Sequence, residues 1–256
     1  MSRSLRFSAS LVAVIGAVFM ASGIGLAGDA HWGYLGKEGP AYWGDISDEY
    51  SACAEGRMQS PIDFSGTTSG GGGVAVFDYG ATSLDVLNNG HTVEVKVEPG
   101  NSAVLAGKTY ELLQFHFHSP SEHTIGGRSA AMEVHFVHRS SEGKLAVVSV
   151  LVESGAANDT LGVVASHQLT AHHIEEGAER LPDETVNGGG LLPASSAFTA
   201  YSGSLTTPPC SEGVAWFVMK DSITASSGQI AIMQAAMPTN ARPTQPLNGR
   251  LMLGSD

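Results

Sequence analysis

Charge is scarce in this chain and unevenly signed. Only 15% of its 256 residues are charged, and 13 basic side chains stand against 25 acidic ones, a net −12. That balance argues against nucleic acid and anionic membrane as partners and mainly favours solubility. Cysteine is nearly absent, with Cys53 and Cys210 alone. There is no His-rich tract and no internal repeat. Nor is there an apolar run of the roughly 20 residues that a membrane span needs. The best apolar run, Leu11–Met20, follows Arg3 and Arg6 and precedes the small residues of Gly25-Leu26-Ala27. This is the pattern of an export leader over residues 1–27, not of a stable membrane anchor. The expectation is an exported protein, periplasmic or secreted, with one domain over residues 28–256. In that setting two cysteines read as one disulfide. It would close a very long loop, for which chain entropy gives at most about 5 kcal/mol. The glycine-rich Ser69–Gly73 lacks the lysine and following helix of a phosphate loop, and reads as a flexible loop.

What is plentiful is glycine, 32 residues, which with the low charge suits a turn-rich β protein. Residues 28–64 hold no lasting period and read as an irregular arm packed by Trp32, Tyr34 and Trp43. Asn88-Asn89-Gly90 is a strong hairpin signal. After it, His91, Val93, Val95 and Val97 alternate with Thr92, Glu94, Lys96 and Glu98, which places His91 on the apolar, inward face. Ala106-Gly107 marks a second hairpin, leading into Tyr110–His118. Ala131–His138 and Leu145–Glu153 are further strands around a turn at Ser140–Lys144. Asn158–Glu176 has helical spacing, Pro182–Pro193 reads as a linker, and Ser227–Ala236 as a second short helix. Thr199–Cys210 and Val214–Lys220 return to strand character. Short turns between strands imply antiparallel pairing. The predicted fold is mainly β (α+β), a single domain with a central twisted, mostly antiparallel sheet and short peripheral helices.

The densest chemistry lies at residues 114–138. In a strand, residues two apart share a face, so His116 and His118 stand side by side while Phe115 and Phe117 point into a core. His135 comes from a second strand. Three imidazoles with one position left open are what a catalytic zinc needs. Gln114 shares the face of His116, and Glu133 that of His135. Each can accept the second N–H of its neighbour and so fix the ring's orientation. Val137, also on the His135 face, can line the same cavity.

The segments Gln114–His118, Ser121–Thr124, Glu133–His135 and Gly203–Cys210 together closely resemble the α-class carbonic anhydrases. So do His31–Tyr34, Gln59–Pro61, Asn88–His91, Trp216 and the Asn240-x-Arg242-Pro243-x-Gln245-Pro246 tail. These markers run in family order over nearly the whole expected mature chain. The resemblance implies reversible hydration of CO2 to bicarbonate and a proton, a lyase reaction using one zinc ion per chain held by His116, His118 and His135. It gives His118 the backbone carbonyl of Asn240. It makes Thr206 and Glu122 the pair that orients the attacking oxygen. The apolar pocket for CO2 maps to Val137, Val147, Leu205, Thr207, Val214 and Trp216. His91 becomes a proton shuttle, an imidazole being the side chain that titrates in the right range, with Tyr34 ordering the water between. Cys53 and Cys210 match the disulfide of exported members, bracing the loop that carries Thr206. Sulfonamide or anion inhibitors are expected at the zinc, while monomer and homodimer both stay open.

Two other readings compete. A catalytically silent relative used for adhesion or recognition would usually lack a zinc histidine, and here all three are present. An exported zinc-handling protein would call for more clustered ligands than this chain has.

Overall fold

Short runs of β-branched and aromatic residues, broken by Gly, Asn and Ser turns, pair into one twisted sheet in the computed structural model. Residues 30–65, 68–170, 177–237 and 239–255 are described. The leader expected over residues 1–27 lies outside them, as do residues 171–176 at the end of the expected first helix. His31–Asp256 gather into one unit.

The first strands are β1 (Ser69–Gly70), β2 (Ala75–Asp78), β3 (Thr82–Asn88), β4 (Val93–Lys96), β5 (Ser102–Leu105) and β6 (Lys108–His118). Then come β7 (Thr124–Ile125), β8 (Arg128–Ser129), β9 (Met132–Arg139), β10 (Leu145–Ser154) and β11 (Gly177–Val186). The last are β12 (Phe198–Ser204), β13 (Glu212–Met219), β14 (Ile223–Ala225) and β15 (Leu253–Gly254). The sheet order is β1-β15-β12-β13-β10-β9-β6-β4-β3-β11, with β14 beside β10 and β5 joining β6 to β2. Pairing is antiparallel except for β1 with β15 and β10 with β13 and β14. β7 and β8 form a separate hairpin.

Alternation divides the sheet into two faces. Phe115, Phe117, Val134, Phe136 and Val148 enter the larger core. The helices α3 (Asp159–Thr170) and α4 (Ser227–Ala236) cover it through Leu161, Val164, Ala165, Ile230 and Met233. Asn158 caps α3: its Oδ1 accepts from Leu161 N and its Nδ2 donates to Gly190 O, both at 2.9 Å. Ser226 and Gln229 form a capping box at α4, satisfying N–H groups the first turn leaves open. The other face carries Ile62, Val147, Tyr201, Val214 and Trp216, and the functional side chains belong to it. In the N-terminal arm, α1 (Trp43–Ile46) and α2 (Ala52–Glu55) are single turns, and Trp32, Tyr34 and Trp43 pack edge to face at 5.3–5.7 Å.

Three expectations are corrected. Residues 182–193 are not a plain linker, because Pro182 lies within β11, which pairs with β3 across a register shift between Leu181 and Thr185. Proline is tolerated there because β11 is an edge strand and the shift absorbs the missing N–H. The glycine-rich stretch is not all loop, since Ser69 and Gly70 pair in parallel with Leu253 and Gly254. His91 is not an inward strand residue. It precedes β4, where Asn89 Oδ1 accepts the N–H groups of His91 and Thr92 at 3.0 and 2.9 Å. That turn breaks the alternation, so Thr92 is the buried residue and His91 is partly exposed.

One buried histidine serves the fold rather than the site. His138 sits on the larger-core side of β9, 2.6 Å from the Tyr79 hydroxyl through Nε2. Burial keeps that phenol protonated and pushes the imidazole down to about 4 from an ordinary 6.5. Above pH 6.5 both folded and unfolded chains carry it neutral. As pH falls, the unfolded chain takes the proton first, so the folded state loses about 3 kcal/mol between pH 6.5 and about 4 and no more below. Urea unfolding at stepped pH should show this component in the native chain and not in His138→Gln.

Candidate metal centre

β6 and β9 run antiparallel with His116 directly opposite His135. A register shift between Leu112 and Gln114 re-aims the end of β6, a device often found beside functional sites. His118, two residues on, lands on the same face. The ring centroids of the three histidines lie 4.6–5.3 Å apart, and one nitrogen from each falls within 4.8 Å of the other two.

Each ring is oriented by an oxygen at its far nitrogen. Gln114 Oε1 lies 2.8 Å from His116 Nδ1, the Asn240 carbonyl 2.8 Å from His118 Nδ1, and Glu133 Oε1 2.8 Å from His135 Nε2. Carbonyl and carboxylate oxygens only accept, so those nitrogens carry the protons. The lone pairs then sit on His116 Nε2, His118 Nε2 and His135 Nδ1. His118 Nε2 is buried and has no hydrogen-bond partner. A buried orphan of this kind calls for an explanation, and a metal ion bound by all three nitrogens supplies one. Burial lowers the pKa of all three rings, and charge on neighbouring imidazoles lowers those of His116 and His135 further. Neutral imidazole is the form that binds metal.

Behind these rings Glu133 is fully buried and heavily bonded. Besides His135 it accepts from His123 Nδ1 at 2.6 Å, from Ser149 Oγ, and from the backbone N–H groups of Glu122 and His123 at 2.7 and 2.8 Å. Burial alone would raise its pKa; the His123 and His135 imidazoles reverse that and hold it well below the usual carboxylate range. His123 also meets the Tyr201 hydroxyl at 2.7 Å, which donates to Ser60 Oγ at 2.8 Å. The sequence reading passed over His123, Ser149 and Tyr201. The available signal was the position of His123 between Glu122 and Thr124 in the Ser121–Thr124 segment.

Glu122 is also buried, its Oε2 3.5 Å from His118 Nε2 and 3.9 Å from His135 Nδ1. Burial pushes its pKa up to about 7, against the opposing pull of His135, the Arg242 N–H and the Thr206 hydroxyl. Arg242 N donates to Glu122 Oε1 at 2.9 Å. The Arg242 guanidinium reaches Gln59 Oε1, Ser60 O and Cys53 O at 2.8–3.0 Å. Cys53 is bonded to Cys210, and Gln59 Nε2 donates to Cys210 O at 3.0 Å. The loop that carries Thr206 and Thr207 is thus tied to the N-terminal arm by one covalent and one polar link.

Cross-strand register assembles the apolar wall. Val147 lies opposite Val137 on one side and Trp216 on the other. Val214 shares their cluster, with Leu205 packed against it. Trp216 Nε1 donates to Ser204 O at 3.0 Å, so the indole keeps its apolar face toward the cavity and its polar atom satisfied. The His91 ring stacks on Trp32 at 3.8 Å, nearly parallel. Tyr34 meets His91 edge-on at 6.4 Å. The Tyr34 hydroxyl is buried without a protein partner. Burial, and then the Glu122 charge, raise its pKa. Trp32, Tyr34, Asn89 and His91 line a cavity of about 500 Å³.

Comparison with known proteins agrees with this geometry. Residues 38–255 match the family described as eukaryotic-type carbonic anhydrase. A carbonic anhydrase of Nostoc sp. is 44% identical, over 87% of this chain and 85% of its own length. One from Pectobacterium atrosepticum is 39% identical, over 95% and 98%. Among solved structures, the α-carbonic anhydrase of Thermovibrio ammonificans in complex with sulfanilamide superposes with a TM-score of 0.83. It is 39% identical and covers 88% of this chain and 100% of its own.

Proposed function

The chain belongs to the eukaryotic-type (α) carbonic anhydrases, enzymes of the reversible hydration of CO2, and we propose that it performs this reaction with one zinc ion held by His116, His118 and His135. The observation that carries the proposal is the set of three converging nitrogens, each on a ring whose other nitrogen is already taken. Zinc bound there supplies Lewis acidity enough to make a hydroxide nucleophile at neutral pH, a general property of this enzyme class.

The chain's own groups do the rest. Gln114, Glu133 and the Asn240 carbonyl hold the ligand rings in one tautomer and one orientation. The Thr206 hydroxyl interacts with the Glu122 carboxylate; a hydrogen bond donated to Glu122 would leave the Thr206 oxygen free to accept and so aim the attacking oxygen. Val137, Val147, Leu205, Thr207, Val214 and Trp216 form a wall suited to an uncharged, apolar gas. One water and one CO2 become bicarbonate and a proton. The proton passes through ordered water, which the Tyr34 hydroxyl helps arrange, to the His91 imidazole and on to buffer. The T. ammonificans relative was solved with sulfanilamide, and we expect the same class of inhibitor to bind this site. Residues 1–27 act as an export leader, placing the enzyme in the periplasm or outside the cell. No helix among the described residues is long and apolar enough to cross a membrane.

Stopped-flow CO2 hydration tests the reading. Stripping metal with a chelator should abolish turnover, and one equivalent of zinc should restore it. Undiminished hydration by fully zinc-free protein would overturn it.

A further inference from the structure

The loop that carries His91 is anchored by side chains that the mechanism above leaves unused. Regular pairing of β4 with β6 reaches only as far as Glu94 opposite His116. Beyond it the Thr92 side chain takes over. Its hydroxyl donates to the Phe117 carbonyl at 2.6 Å and lies 3.3 Å from the Phe117 N–H. The Asn240 carboxamide reaches the same carbonyl. Its Nδ2 lies 3.0 Å from Phe117 O and 2.9 Å from His91 O, while its Oδ1 accepts from Ser119 N at 2.7 Å. Phe117 is the residue between His116 and His118. A carbonyl oxygen has two lone pairs, and here one meets Thr92 and the other Asn240. The N–H of His91 is held as well, by Asn89 Oδ1. Both backbone groups of His91 are therefore held, and its ring rests on Trp32.

We infer that the Thr92 hydroxyl and the Asn240 carboxamide are positioning groups that staple the His91 backbone to the ligand strand at Phe117, and so set the distance over which the proton leaves the centre. The inference rests on the reading of His91 as proton shuttle. Transfer through a short chain of waters depends steeply on the separation of its ends, and a displacement of 1 Å can cost about 10²-fold in rate. Chain connectivity cannot enforce that distance, because His91 and His116 lie 25 positions apart in the sequence. Side-chain bonds across the strands can.

Thr92→Val keeps the shape and removes the hydroxyl; Thr92→Ser keeps the hydroxyl. In weak buffer the zinc-loaded Thr92→Val enzyme should lose about 5-fold in kcat, part of the roughly 10²-fold that a positioned proton-transfer group contributes. Its kcat/KM should stay within about 2-fold, because the capture and conversion of CO2 do not use the staple. Imidazole buffer should restore kcat by taking the proton directly. Amide hydrogen exchange at Gly90 and His91 should rise about 10-fold, as expected for a local opening made easier by one lost hydrogen bond. Thr92→Ser should behave as wild type. On a His91→Ala background, Thr92→Val should add no further loss of kcat. Equal loss of kcat and kcat/KM without buffer rescue, or unchanged amide exchange, would overturn the inference. If His91→Ala itself kept full turnover, the shuttle reading would fall and the positioning role with it. If His91→Ala slowed turnover and Thr92→Val did not, only the staple would fall.

Discussion

His118→Ala is expected to remove CO2 hydration almost completely while leaving the fold in place. His118 is the ligand whose Nε2 has no hydrogen-bond partner, so that nitrogen contributes nothing to the fold without metal. The Lewis-acid contribution of such a site is worth several kcal/mol, and at about 1.4 kcal/mol per tenfold the loss should reach ~10³-fold or more. The cost to the fold is smaller. The Asn240 carbonyl loses its partner, about 1–3 kcal/mol if water does not replace it. Stopped-flow hydration, zinc content after dialysis and a thermal melt separate the two effects. A variant that kept bound zinc and full turnover would sink the assignment of the centre.

Glu133→Gln should give the largest loss of stability of any single change near the site. The carboxylate collects His123, His135, Ser149 and two backbone N–H groups. A neutral carboxamide has one oxygen, not two, to meet five donors, and its NH₂ would face groups that are themselves donors. Breaking a buried charged network by changing one partner costs about 3–5 kcal/mol. Because Glu133 also sets the tautomer of His135, zinc affinity should drop about 10- to 100-fold. Urea titration of the zinc-free variant measures the first effect, and competition with a chelator measures the second. A loss of zinc affinity with unchanged apo stability would mean that Glu133 acts on His135 alone.

The ligand trio was legible because it rests on the simplest geometric fact in the chain, the two-residue period of a strand. Gln114, His116 and His118 share one face, and His135 joins them by ordinary antiparallel pairing. Where side chains override that period, sequence reasoning misplaced residues. The Asn89 carboxamide captures two successive N–H groups, and so His91 leaves the face that alternation assigned to it. β11 was hidden for a different reason: its partner β3 lies some ninety residues earlier, and a proline with nearby glycines gives no local hint of pairing. His123 escaped because its ring's hydrogen-bond partners sit on other strands, Glu133 on β9 and Tyr201 on β12. Such contacts are properties of the assembled sheet.

The Asn240 carbonyl and the Arg242 N–H hydrogen-bond to His118 and Glu122. They also fix an order of events. During synthesis all three histidines have emerged by residue 135, long before the segment that orients the second of them. A nascent chain therefore carries all three imidazoles well before the His118 ring can be held in its final orientation. The orientation of that ring arrives only with the tail, when the Asn240 carbonyl meets His118 and the Arg242 N–H meets Glu122. The centre is in this sense completed late in folding, once the C-terminal segment has packed against the ligand strand.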